Sequence, residues 1–170
     1  MKRPDLTQVP SFFHTYINLV TGDDLIHEFQ ENKTLISDFL ASIPDDKWSF
    51  RYAEGKWSIK EMVQHLIDAD RIFAYRALCI ARGETISLPG FDENKYAAAS
   101  QADRRTKESL LQELNVVQES TRLLFQSFNE EQLDRFGSAN NNPIQVRAIG
   151  FISVGHMRHH KKVLQERYLH

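Results

Sequence analysis

Two histidines one helical turn apart are the residues most able to do chemistry in this chain. They sit in Gly155-His156-Met157-Arg158-His159-His160. On a helix, His156 and His160 lie ~40° apart on one face, so both imidazoles can turn toward a single point. That spacing is a common way to give a metal two nitrogen ligands. An isolated H-x-x-x-H pair is more often two hydrogen-bonded core or surface histidines. Here the pair falls in an apolar stripe, Gln145, Ile149, Ile152, His156, His160, Val163 and Arg167, which implies a core-facing row. Two adjacent core histidines have polar nitrogens to satisfy, and a metal would satisfy both.

The third ligand expected is His65, in a second helical stretch. It lies about seven residues, ~10 Å, from the start of its helix, and His160 about eight residues, ~12 Å, from the end of its own. If those helices run antiparallel, three imidazoles reach one level. Three histidines leave a coordination position open, as in a catalytic or substrate-binding site. Asp68, one turn beyond His65, has four readings: a fourth ligand, a hydrogen-bond partner of a ligand, a general base, or an ordinary exposed carboxylate. His159 points ~60° off the pair and is either a neighbour of the ligands or solvated. His14, His27 and His170 lack such a context and read as surface residues. Cys79 is ~21 Å further along the helix of His65, too far for the same metal, and reads as a small buried residue.

The elements that must hold these residues are all helical. Val9 to Val20 predicts a short lead-in helix across a bundle. Asp23 and Asp24 open a longer helix with Leu25, Phe29, Ile36, Phe39 and Leu40 inward and Pro44 as its stop. Ser58 and Glu61 match a capping box, with Trp57 and Met62 as a hydrophobic staple, so a helix is expected over about 58–82 with Gly83 ending it. A long connection from Gly83 to about Arg104 contains Leu88-Pro89-Gly90-Phe91-Asp92 and can return the chain along the bundle, so that the next helix runs parallel to the previous one. Leu110, Leu114, Val117, Thr121, Leu124 and Phe128 mark that third helix. Asn142 as cap, Pro143 as first residue and Gln145 at the box position predict a last helix from Pro143 to about Tyr168. No stretch reads as a strand.

Composition narrows the function classes. A chain of 170 residues, 41% hydrophobic and 26% charged, suits one soluble domain spanning 1–170. A formal net charge of −2 gives no field that would recruit nucleic acid or an acidic membrane. No apolar run is long enough to cross a bilayer, no signal peptide is evident, and a lone cysteine agrees with a reducing compartment, so a cytoplasmic location is expected.

Several of these motifs occur together in a known order. Gly55-Lys56-Trp57-Ser58-Ile59-Lys60-Glu61 is followed by His65-Leu66-Ile67-Asp68, Tyr75-Arg76-Ala77-Leu78, Leu88-Pro89-Gly90-Phe91-Asp92 and Gly155-His156-x-x-His159-His160. Taken from about Tyr16 to Leu169, the chain resembles the DinB superfamily, in the branch of YfiT-like metal-dependent hydrolases and bacillithiol-transferase-like proteins. The resemblance implies an up-down-down-up four-helix bundle and a histidine triad carried over onto His65, His156 and His160. It implies zinc or nickel as the metal and, since members are often dimers, a homodimer. It also implies a small-molecule substrate and a low-molecular-weight thiol cosubstrate, although no motif names the thiol.

Three functions follow as expectations. The first is thiol transfer, with metal lowering the thiol's pKa and Arg76 or Arg167 holding the cosubstrate's carboxylates; each arginine reads equally as solvated or paired with Glu61 or Asp68. The second is hydrolysis by a metal-activated water with Asp68 as base. The third is a stress-related protein that binds metal or a small ligand without turnover.

Overall fold

Three of the four long helices begin where a side chain satisfies backbone N–H groups that have no partner inside the helix. The computed structural model describes residues 1–169. Its helices are α1 (His14–Ile17), α2 (Leu25–Ser42), α3 (Ile59–Ala81), α4 (Glu93–Ser100), α5 (Lys107–Gln126), α6 (Glu130–Asp134) and α7 (Val146–Arg167), with strands β1 (Phe136–Ala139) and β2 (Asn142–Gln145) before the last. Asp24, Ser58, Asp92 and Thr106 cap α2, α3, α4 and α5 with their side-chain oxygens. The box at α3 is complete: Ser58 Oγ accepts from the Glu61 N–H, and the Glu61 carboxylate accepts from the Ser58 N–H at 2.8 Å. Gly83 closes α3 at φ +94°, where the Glu84 N–H reaches back to the Cys79 carbonyl.

Pairings between helices give their directions. Lys33 meets Glu119 and Ser37 meets Asn115, so α2 and α5 are antiparallel. Gln64 meets Arg105 just ahead of α5, and Asp70 meets Thr121 within it, so α3 and α5 are parallel. Glu28 meets Arg158 and Leu25 faces Gly150, so α2 and α7 are parallel. His65, near the start of α3, meets His160, near the end of α7, so that pair is antiparallel. The result is an all-α, up-down-down-up four-helix bundle. The connection after Gly83 makes the parallel step from α3 to α5, as its length implied.

Four details differ from the sequence expectation. The lead-in is shorter: a 3-10 turn at Ser11–Phe13 runs into the single turn of α1. Arg3 stops it there, its guanidinium donating to the carbonyls of Ile17, Val20 and Gly22. The long connection contains a helix, α4, capped by Asp92, and Leu88 within it bridges to Ala139. Strands do occur: β1 and β2 pair antiparallel, Phe136 opposite Gln145 and Ala139 opposite Asn142. Asn140 (φ +50°) and Asn141 (φ +60°) form their two-residue turn, a conformation asparagine tolerates better than most residues. This hairpin takes Asn142 and Pro143 for β2, so the last helix begins at Val146 rather than Pro143, with no side-chain cap from Gln145.

The core has two apolar clusters. One gathers Leu25, Phe29, Phe73, Ile80, Phe125 and Phe151, and the other Ile36, Leu40, Trp48, Leu66, Leu114 and Leu164. Buried polar side chains lie among them: Glu28, Asn32, Gln64, Asp70, Gln118, Thr121, Ser153 and His156. From Val146 to Met157, α7 is buried on every face and not only along its stripe, because α1 covers the side away from the bundle. Gly155 permits that approach, lying directly against the Tyr16 backbone.

Candidate metal centre

The first turns of α3 and the last turns of α7 bring three imidazoles together. His156 Nε2 lies 3.1 Å from His65 Nε2 and 3.1 Å from His160 Nε2. A donor nitrogen from each ring lies within 4.8 Å of the other two. His65 and His156 are buried and His160 is half-buried. Burial drives all three toward the neutral form that ligates metals. It lowers His65 to about 4, with Glu93 pulling weakly the other way. It lowers His160 to about 3, with the neighbouring histidines adding to the effect, and it lowers His156 in the same direction.

The rings are set by packing rather than by carboxylates. Trp57 lies 4.8 Å from the His65 ring, while Tyr16 (5.5 Å) and Phe73 (5.6 Å) meet His156 edge-on. His159 lies beside the cluster, 5.4 Å from Tyr16 and 5.2 Å from His160, centroid to centroid. His160 Nδ1 is buried with no hydrogen-bond partner. Three neutral imidazoles that meet nitrogen to nitrogen cannot all satisfy one another, since a hydrogen bond needs one protonated and one bare nitrogen. A cation shared by three lone pairs satisfies the three converging nitrogens, and three nitrogen donors suit zinc or nickel. The donor set therefore fits a divalent metal.

The cluster opens on a cavity of about 510 Å³. Aromatic side chains line much of it: Phe12, Phe13, Tyr16, Trp57, Phe73 and Phe91. Arg76, Glu93, Asn140 and Asn142 supply its polar groups, and His159 lies on its wall. Gly90, Phe91 and Glu93 from the connection after α3 and Asn140 from the β1–β2 turn line part of it.

Of the other residues singled out by sequence, Arg76 reaches this cavity and Asp68 does not. Asp68 is half-buried and accepts from Gln64 Nε2 at 2.9 Å, with the Arg71, Arg105 and Glu113 charges acting on it. Its place on α3 turns it toward α5, so the structure does not bring it to the histidines. The enclosed acid of α3 is Asp70, which accepts hydroxyl hydrogen bonds from Thr121 and Ser153 and is raised to about 6 by burial. Arg167 is exposed at the end of α7 and stacks on Tyr52. Cys79 is half-buried against the apolar core, away from the histidines. His27 is exposed beside Glu31, as expected of a surface residue. His14 departs from that expectation, because its Nε2 contacts the Leu6 and Val9 carbonyls and ties down the N-terminal turn. His170 lies outside the described residues. Sequence spacing did not single out Glu93, Asn140 or the aromatic lining as site residues, because they come from five separate segments with no common period.

Comparison with known proteins agrees with this geometry. The model of the DinB superfamily matches residues 28–164. A protein of Oceanobacillus iheyensis named "putative metal-dependent hydrolase" is 27% identical over 145 residues, covering 83% of each chain. Among solved structures, YfiT from Bacillus subtilis, described as a "probable metal-dependent hydrolase with an unusual four-helix bundle topology", superposes with a TM-score of 0.75. It is 15% identical and covers 97% of this chain and 91% of its own. The DinB-like protein YjoA from Bacillus subtilis gives a TM-score of 0.59 at 23% identity, covering 83% and 86%. At those identities the two structures support the fold alone.

Proposed function

Because this chain belongs to the DinB superfamily, we propose that it is a metal-dependent enzyme that transfers a low-molecular-weight thiol to an electrophilic small molecule. The observation that carries this reading is the convergence of His65, His156 and His160 nitrogens at the wall of a largely aromatic cavity. A divalent cation there, zinc or nickel, supplies the Lewis acidity that lets a thiol ionise near neutral pH. The three imidazoles hold that cation and, being neutral, leave its charge undiminished. Tyr16, Trp57 and Phe73 keep the rings in place and exclude water from their flanks. Glu93 is the carboxylate on the cavity lining. It accepts the proton that leaves the thiol. The sulfur then forms a bond to the electrophilic carbon, and the leaving group departs with its bonding pair.

A second reading, hydrolysis, is favoured by the name of the Oceanobacillus relative. It uses the same three histidines and the same proton acceptor, with water in place of the thiol.

Two measurements test these readings. Metal analysis of purified protein should find a divalent ion in wild type and much less in His156→Ala; equal contents would end both. Metal-loaded protein should accelerate the reaction of a thiol panel with a chromogenic electrophile. Turnover of a chromogenic ester panel without thiol, and none with it, would replace transfer by hydrolysis.

A further inference from the structure

Arg76 is a buried cation with no counter-charge. The residue is only 9% exposed. Its Nη2 donates to the Pro89 carbonyl at 2.7 Å, and its Nε is buried with no partner. Among the described residues no carboxylate forms an ion pair with it. The shift in its pKa is downward and comes from burial alone, with no acidic neighbour offsetting it. Other buried arginines are balanced: Arg147 by Glu130 and Asp134, Arg158 by Glu28, and Arg122 by Glu119. A buried charge without a partner is costly, and a guanidinium on a cavity wall is a strong receptor for an anionic oxygen.

Its position along α3 adds a length. His65 and Arg76 are eleven residues apart on one helix, roughly 16 Å along the axis and ~20° apart in direction. Both line the same cavity, with the ring of Phe73 between them in sequence and on its wall. The space has a metal-binding group toward one end, an uncompensated cation toward the other, and aromatic side chains along its sides.

We propose that the cavity selects a substrate with a carboxylate on an elongated apolar body, the carboxylate docking on Arg76 while the reacting end faces the histidines. Arg76 acts as the specificity-determining anchor. The role of the histidines rests on the reading above, but the anchor does not depend on it, and the two fail separately.

The test uses 4-phenylbutyrate as probe, its neutral amide 4-phenylbutyramide and inorganic phosphate as comparisons, and fluorescence of Trp57 on the cavity wall or calorimetry as readout. Each is titrated into full-length protein, once with EDTA and once loaded with zinc. The expected result is that the acid binds at least about tenfold more tightly than the amide in both states, since a charge-assisted contact is replaced by a neutral one. Phosphate, which cannot use the aromatic walls, should bind more weakly than the acid. Arg76→Gln should remove the acid's advantage over the amide. Equal binding of acid and amide to wild type overturns the proposal without needing any variant to fold. An acid preference seen only with zinc, and kept by Arg76→Gln, also overturns it, because the carboxylate would then sit on the cation. A failure of zinc to bind, with the acid preference intact in EDTA, would leave the anchor standing and remove the metal reading instead.

Discussion

Replacing Gly155 by alanine should separate the lead-in helix from the metal centre. A methyl group at that position lands on the Tyr16 carbonyl oxygen, with the Tyr16 carbonyl carbon at 2.5 Å and its Cα at 3.0 Å. These are backbone atoms, so no rotamer change relieves the overlap, and ordinary contact requires α1 to move by roughly 1.5 Å. Arg3 holds that segment by the Ile17 carbonyl at 3.1 Å, so it does not move freely. Within a helix, alanine is favoured over glycine by about 1 kcal/mol. Overpacking against an unyielding neighbour costs about 1–3 kcal/mol, and the backbone identity of the neighbour puts this case toward the upper end. The net loss is then about 1–2 kcal/mol, or roughly 2–8 °C in Tm for a domain of this size. Thermal denaturation monitored by circular dichroism measures it. Gly150→Ala is the control: its methyl meets only side-chain atoms, Leu25 Cδ2 at 2.5 Å and Phe125 Cε1 at 2.9 Å, so the loss should be smaller. Because the Tyr16 ring packs on His156 and His159, Gly155→Ala should also weaken zinc binding in a competition titration. A Gly155→Ala protein as stable as wild type, or more so, would refute the close approach of α1 to α7.

Other consequences are equally open to measurement. Ser58→Ala removes the acceptor for the Glu61 N–H and the donor to Asp103, and should cost about 1–2 kcal/mol in urea denaturation with an unchanged m-value. Zinc at about 100 times its dissociation constant should stabilise the protein by roughly 2.7 kcal/mol and raise Tm, with EDTA reversing the effect and His156→Ala abolishing it. Asp70 is protonated more readily in the folded than in the unfolded chain, so its contribution is fullest below pH ~4 and is lost as pH rises through about 6. Asp70→Asn lacks that loss. Its stability relative to wild type, measured in EDTA, should therefore rise by about 1 kcal/mol between pH 5 and pH 7. A constant difference would mean that the folded-state acid titrates normally.

Local chemistry made much of this architecture legible. The Ser58–Glu61 box, the Gly83 stop and the helix marked by Leu110 to Phe128 depend on contacts within a few residues, and hydrophobic period carries them. The last helix was mislocated at its start because Asn142-Pro143 is a good cap-and-first-turn pair in isolation. The competing signal was Asn140-Asn141, which favours a left-handed two-residue turn, and pairing of Phe136 with Gln145 decides between them. Asp68 and Asp70 show the same limit. They are two residues apart and chemically identical, yet one accepts from Gln64 beside a charged cluster and the other is enclosed by hydroxyls from α5 and α7.

What the sequence alone determined is therefore the four long helices and the common face of His156 and His160, because a helix repeats every 3.6 residues whatever surrounds it. It also placed His65 at a compatible height. Tertiary structure decided that the three rings meet, that Asp68 faces away from them, and that Arg76 lies buried without a carboxylate beside the same cavity. Those facts depend on which helices adjoin and on the loops between them, and contacts made across nearly a hundred residues leave no period in the chain to read.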